Sequence, residues 1–130
     1  MTINGIYFTK LDRKITFMYY VYIITNYTNS TIYTGITNNL IRRIKEHKDK
    51  INPSFSSRYN LYKLVYFEVF DKPLTAINRE KQIKKYSRMK KDNLIKTMNP
   101  DWNDLLEEQK FFLQNNSFAV KTKDSSFQSE

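Results

Sequence analysis

Tyr22 and Tyr33 stand eleven residues apart, the first closing Tyr20-Val21-Tyr22 and the second opening Tyr33-Thr34-Gly35. Arg43 follows Gly35 by eight residues, and His47 follows Arg43 by four. Residues four apart on a helix share a face, so Arg43 and His47 are neighbours there. A guanidinium stays charged and donates in a fork, which suits a phosphate. An unperturbed phenol titrates near pH ~10, so a tyrosine acting as a base needs a nearby cation or a histidine partner. Each residue also has a plainer reading. Tyrosines on strands are ordinary core material in a chain with ten of them, a histidine in an apolar stripe packs with its ring satisfied, and an arginine at its border pairs or snorkels.

Glu80 is the sharpest single residue. Pro73 suits the first turn of a helix running to about Tyr86, on which Leu74, Ala76, Ile77 and Ile83 define an apolar stripe with Glu80 near its middle. A carboxylate there is costly unless it is paired or bound to a cation. A salt bridge to Lys84, four residues on, is one solution. A hard divalent cation is the other, held by one carboxylate plus water and phosphate oxygens.

The elements that position these groups can be read from pattern. Residues 19–25 are aromatic and β-branched and form a strand, with Tyr20, Tyr22 and Ile24 on one face and Val21 and Ile23 on the other. Asn26 to Ser30 is a polar turn, and Thr31 to Gly35 completes a hairpin. Residues 38–50 form a helix capped by Asn38 or Asn39. On it Leu40, Ile44, His47 and Ile51 share one face, Arg43 borders that stripe, and Arg42, Lys45 and Glu46 lie opposite. Residues 52–60 form a loop. Residues 62–70 are apolar on both faces, as in a buried central strand. A further helix covers about 88–98 and ends at Asn99-Pro100. Residues 1–17 precede these elements as an extension, and the patterned region runs to about residue 106. It is followed at 107–130 by a tail that loses periodicity, becomes rich in Ser, Gln, Asn and Lys, and is expected to be poorly ordered.

A chain of 130 residues with 40% hydrophobic content supports one modest core. The formal net charge of +9 is uneven, with +12 in residues 1–100 and −3 in residues 101–130. A basic body points to a polyanionic partner. The absence of cysteine removes disulfides, thiolate zinc sites and a cysteine nucleophile, and a single histidine removes multi-histidine metal sites. No apolar run approaches the roughly 18–20 residues needed to span a bilayer. Asp12, Arg13 and Lys14 interrupt any signal-peptide core. A cytoplasmic monomer is expected. The basic run at 79–96, which includes Lys84, Lys85, Arg88 and Lys91, is either a solvated helix face or a backbone-binding surface. Arg58 and Tyr59 in the preceding loop offer a phosphate contact and a stacking ring.

Taken together, the two tyrosine motifs, the arginine, the histidine four residues later and the glutamate on a basic helix resemble the GIY-YIG nuclease domain over about residues 18–106. The pattern is similar to small single-domain bacterial members and to the N-terminal nuclease domain of the excinuclease relatives. The resemblance implies an α/β fold with a small antiparallel, roughly three-stranded sheet flanked by helices. It implies a metal-dependent endonuclease hydrolysing DNA phosphodiester bonds. Glu80 would hold one divalent ion, Mg²⁺ or Mn²⁺, and Arg43 would serve the phosphate. Tyr22 or Tyr33, with His47, would activate the water. Asn99 and Asn103 are candidates for the family's late asparagine. Val21 and Thr34 are side-chain swaps within the motifs. Ile36 stands where some relatives carry a lysine, which leaves His47 as the phenol's partner. A non-catalytic nucleic-acid-binding module and an RNA nuclease are the competing readings.

Overall fold

A computed structural model describes residues 2–3, 6–8, 15–49 and 59–108. Three short strands lie at the start, β1 (Thr2–Ile3), β2 (Ile6–Phe8) and β3 (Ile15–Phe17), and pair antiparallel in chain order. They make a small sheet of their own within the segment that sequence pattern marks only as an extension. The main sheet follows: β4 (Tyr19–Thr25), β5 (Ile32–Thr37) and, after helix α1 (Leu40–Asp49), β6 (Lys63–Phe70). Its order is β5-β4-β6, antiparallel throughout. Helices α2 (Pro73–Lys84) and α3 (Arg88–Met98) complete the frame, with a short helical turn at 105–108.

Alternation along β4 divides the core. Val21 and Ile23 face α2 and α3, where they meet Val65, Ala76, Ile83 and Ile95. Tyr22 and Ile24 face the other way, onto Ile44 of α1 and onto Leu61, Leu64 and Leu106. The sheet is thus covered on both sides, which is why β4 is buried over nearly its whole length. The pairing of β4 with β6 slips between Ile23 and Ile24, so Val65 is an extra residue and lies on the same side as Tyr66.

Local chemistry fixes the joints. Asn26 accepts from the backbone N–H of Ser30 (2.9 Å) and Thr31 (3.1 Å), and Asn29 takes φ 61°, a conformation asparagine tolerates. Arg88 then pins this turn to α3, donating to the carbonyls of Asn29 (2.6 Å) and Ser30 (2.9 Å) and pairing with Asp92 (2.7 Å). Asn39, not Asn38, caps α1, its Oδ1 accepting from Arg42 N–H at 3.1 Å. Thr37, the last residue of β5, accepts from Asn39 N–H at 3.1 Å, so the strand and the helix are joined rigidly.

The stripe on α2 differs from expectation. Ala76 and Ile83 are buried, but Leu74 is 66% and Ile77 38% exposed. Ala76 and Ile83 anchor the helix in the core, and ion chemistry on its β6 flank adds to this. Arg79 grips Glu68 with two hydrogen bonds of 2.8 Å, and Tyr66 donates to the same carboxylate. Burial pushes the Glu68 carboxyl up, but the hydrogen bonds from Arg79 and Tyr66 outweigh it and hold it below the usual glutamate value. A carboxyl depressed by folding contributes stability that is present above its unfolded value and lost as pH falls through the folded one. Glu68→Gln should therefore cost about 2 kcal/mol at neutral pH and flatten the loss of Tm below about pH 4.5, read by thermal melts from pH 7 to 3.

Residues 99–103 are ordered by Asn99, which is buried. Its Nδ2 donates to the carbonyls of Val65 (3.1 Å) and Asn103 (2.8 Å), and its Oδ1 accepts from Asn103 N–H (3.0 Å). This bracket holds Trp102 at φ 55°, a strained value for a bulky residue. On the opposite side, Lys48 of α1 pairs with Asp104 (3.1 Å) and Glu107 (2.8 Å), tying that helix to the C-terminal turn.

Candidate active site

Register brings the two tyrosines together. Tyr22 pairs across the hairpin with Gly35, and Ile24 with Tyr33, so both phenols project from the same face of β4 and β5. Their ring centroids are 6.4 Å apart. Gly35 is required by close approach: a Cβ there would fall 2.5 Å from both Cζ and the hydroxyl of Tyr22. The Tyr22 ring lies over the bare glycine and reaches α1, where its hydroxyl and Nε2 of His47 are 3.0 Å apart.

Tyr33, on the edge strand, is where the two helical layers meet. The His47 ring of α1 is 6.0 Å from its centroid, and so is the Nζ of Lys84 from α2. The helical phase of α2 explains the second approach. Arg79 leans toward β6 and Glu68, whereas Glu80 and Lys84 lie on the opposite flank of the Ala76–Ile83 stripe. The Glu80 side chain is only 14% exposed and its Oε2 is 3.2 Å from Lys84 Nζ.

Arg43 lies on α1 one turn before His47, and its side chain is 41% exposed. It donates to Glu46 at 3.0 Å, and Arg42 approaches the same carboxylate at 3.7 Å. Glu46 is therefore not opposite Arg43 but beside it, the i to i+3 neighbour that helical geometry allows. The pair is solvated and weak, so a phosphate can compete for the guanidinium.

The electrostatics connect the cluster. Burial pushes the Tyr22 phenol well above its ordinary value, Tyr33 adds to this, the charge of Arg43 opposes it, and Glu80 raises it further. Tyr33, Arg43 and Glu80 thus all act on one hydroxyl. Burial lowers the His47 imidazole below its ordinary value, and the Arg43 charge lowers it again, against a smaller pull from Glu46. At neutral pH the ring is uncharged and can present a lone pair to the phenol.

The structure therefore brings Tyr22, Tyr33, Arg43, His47, Glu80 and Lys84 to one place. It does not bring every candidate there. Asn99 spends its amide on the backbone bracket, and the Asn103 amide donates to Glu108 at 2.9 Å. In this structure the Asn99 side chain orders the loop at 99–103, and that of Asn103 lies at the exposed surface. Arg88 is exposed and its guanidinium is engaged by the hairpin turn and by Asp92. Lys85 is exposed, Lys91 half-buried and Tyr59 exposed, while Arg58 lies outside the described residues, as does Ile51. The close approach behind Gly35 and the Glu46 partner were not anticipated. The second was visible as an i to i+3 pair of opposite charge, whereas the first needs the cross-strand register.

Among the described residues no group of three His, Cys, Asp or Glu side chains is placed to hold a metal ion. That donor set still fits a hard cation of the Mg²⁺ kind, which takes one or two carboxylates and completes its shell with water and substrate phosphate. Glu80 is a mostly covered carboxylate whose charge reaches the Tyr22 hydroxyl. No helix among the described residues is long and apolar enough to cross a membrane.

Comparison with known proteins supplies the family. The model of the GIY-YIG catalytic domain matches residues 18–93. A UPF0213 protein of Clostridium perfringens is 42% identical over 78 residues, covering 60% of this chain and 83% of the relative. One from Syntrophus aciditrophicus is 40% identical over 83 residues, covering 63% and 93% respectively. The solution structure of a UPF0213 protein from Bacillus halodurans superposes with a TM-score of 0.45 at 27% identity, over 68% of this chain and 93% of that one. The chain belongs to the GIY-YIG family, whose domain is that of a nuclease. The name UPF0213 states no reaction, so the reaction must be argued from the site.

Proposed function

We propose that this protein is an endonuclease that hydrolyses phosphodiester bonds of DNA with the aid of one divalent cation, Mg²⁺ or Mn²⁺. The observation that carries the reading is the hydrogen bond between Tyr22 and a neutral His47, set among Arg43, Tyr33 and Glu80. A phenol whose pKa is raised is a poor base by itself. With an imidazole lone pair at 3.0 Å it becomes a relay. Water attacks phosphorus as its proton passes to the Tyr22 oxygen, and the Tyr22 proton passes to Nε2 of His47. The new P–O bond forms as the bond to the departing oxygen breaks, and that oxygen takes its proton from solvent. Arg43 exchanges Glu46 for the phosphate and stabilises the charge that develops there. Tyr33 orients the phosphate from the strand edge. Glu80 would hold the cation, whose chemistry is charge compensation at the departing oxygen. Lys84, Lys85 and Lys91 supply a sequence-independent attraction for the DNA backbone, with Tyr59 exposed as a stacking ring.

The test is cleavage of single-stranded, duplex and branched DNA by the purified chain with Mg²⁺ or Mn²⁺, and with chelator as control. Metal-dependent nicks are expected. Binding without cuts on any substrate would leave only a binding module, and cuts confined to RNA would move the substrate class. The pH profile adds a check. Because His47 titrates below 6.5 in the fold, cleavage should persist through that value and fall only at lower pH, as the imidazole charges and stops accepting. His47→Ala should remove the limb together with about a hundredfold of rate.

A further inference from the structure

We propose that Lys84 is a tethered counter-ion for Glu80 that holds the cation position and must be displaced when the divalent ion enters. This rests on the reading of Glu80 as the cation's carboxylate. Three features of the pair support it. Its two ends are unequal: the Glu80 side chain is 14% exposed and held within the cluster, whereas that of Lys84 is 50% exposed and able to swing out. Lys84 is also the last residue of α2, so an ammonium released from Glu80 remains near the negative end of the helix, where a cation is favoured. And the ammonium is not merely on the surface, for it sits 6.0 Å from the centroid of Tyr33, inside the group of rings that would meet the phosphate.

The pairing is weak enough for this role. An i to i+4 ion pair whose lysine end is half-exposed shifts an equilibrium by a factor of only about two, so Lys84 aligns the carboxylate without locking it. A unit positive charge a few ångströms from an incoming divalent ion is a larger effect, on the order of tenfold in affinity even at the dielectric constant of water. The ammonium therefore neutralises a covered carboxylate when no cation is present and raises the cation concentration needed to load the site.

The experiment measures Mn²⁺ binding to the full chain without nucleic acid, by the loss of the free-ion resonance signal and by the rise in Tm with added Mn²⁺. Lys84→Met should bind Mn²⁺ about tenfold more tightly and show the larger Tm rise. Lys84→Arg, which keeps the charge, should not tighten binding. Lys85→Met, which removes an equal charge one residue further on, should change Kd by less than about twofold. Lys84→Gln serves as the second neutral variant should Lys84→Met not fold. Tightening by Lys85→Met equal to that by Lys84→Met would reduce the effect to a diffuse field and overturn the proposal. An unchanged Kd in folded Lys84→Met or Lys84→Gln would overturn it as well. Glu80→Gln separates the two layers. If it abolishes Mn²⁺ binding while neutral Lys84 variants do nothing, only the counter-ion role fails; if it leaves wild-type affinity, the assignment of Glu80 fails and takes this proposal with it.

Discussion

A Glu80→Gln variant should fold, bind DNA and no longer cut it. The substitution keeps size and most packing but removes the charge that would hold the cation. Its cost in stability should be small. The only ion pair to the Glu80 carboxylate among the described residues is the one with Lys84, and an i to i+4 pair of this kind contributes roughly 0.5 kcal/mol, or a few degrees in Tm at most. Loss of cleavage with Tm nearly unchanged is then a loss of chemistry and not of fold. Arg43→Ala should likewise stop cleavage, by about a hundredfold or more, since one charge-stabilising donor at a reacting oxygen is worth about 3–4 kcal/mol. The Arg43 variant should also weaken DNA binding modestly, because its guanidinium meets the phosphate in the ground state too. Melting temperature, DNA affinity and metal-dependent cleavage on the same preparations decide the matter. Wild-type cleavage by a well-folded Glu80→Gln protein would refute the role given to this residue. A large drop in Tm with cleavage intact in the folded fraction would make Glu80 a structural partner of Lys84.

Much of this site could be read from the chain because short-range periodicity governs it. Alternation in residues 19–25 puts Tyr22 and Ile24 on one face, and the two apolar faces of residues 62–70 mark a strand covered on both sides. Helical phase places Arg43 and His47 as neighbours, and the Thr37–Asn39 joint keeps that phase aligned with the hairpin. What resisted reading depends on partners far apart in sequence. Leu74 and Ile77 looked like the inward side of α2. That helix buries only Ala76 and Ile83 and is oriented also by Arg79, which finds Glu68 on β6 eleven residues earlier. Asn99 and Asn103 looked like late site residues. Asn99 is instead consumed by the Val65 carbonyl, a backbone group freed where the β4–β6 register slips. Arg88 looked like part of a basic face, yet two hairpin carbonyls 58 and 59 residues earlier claim it. In each case a polar side chain with several donors was captured by an unpaired backbone or carboxylate group, and no local pattern encodes such a meeting.

Gly35→Ala should be as damaging to cleavage as removal of the Tyr22 hydroxyl. The methyl group would lie 2.5 Å from Cζ and the hydroxyl of Tyr22, well inside any tolerable contact. The ring has no easy retreat. Tyr22 is 2% exposed, packed against Ile44 and Leu61, and bonded to His47 at its tip. Either the ring tilts and the 3.0 Å bond to His47 opens, or β5 shifts away from β4 and carries Tyr33 with it. Both outcomes break the proton relay, for which a loss of about 10²–10⁴ in rate is expected. The overpacking should also cost about 1–3 kcal/mol. Tyr22→Phe is the comparison, since it removes the relay while leaving the ring and the packing in place. The double variant Tyr22→Ala with Gly35→Ala isolates the cause. It deletes the ring that the methyl strikes, so the two substitutions should be less than additive in stability, with a coupling of about 1 kcal/mol or more, while cleavage stays absent. Additive losses in Tm would mean that the glycine serves the strand's backbone and not the approach of the phenol.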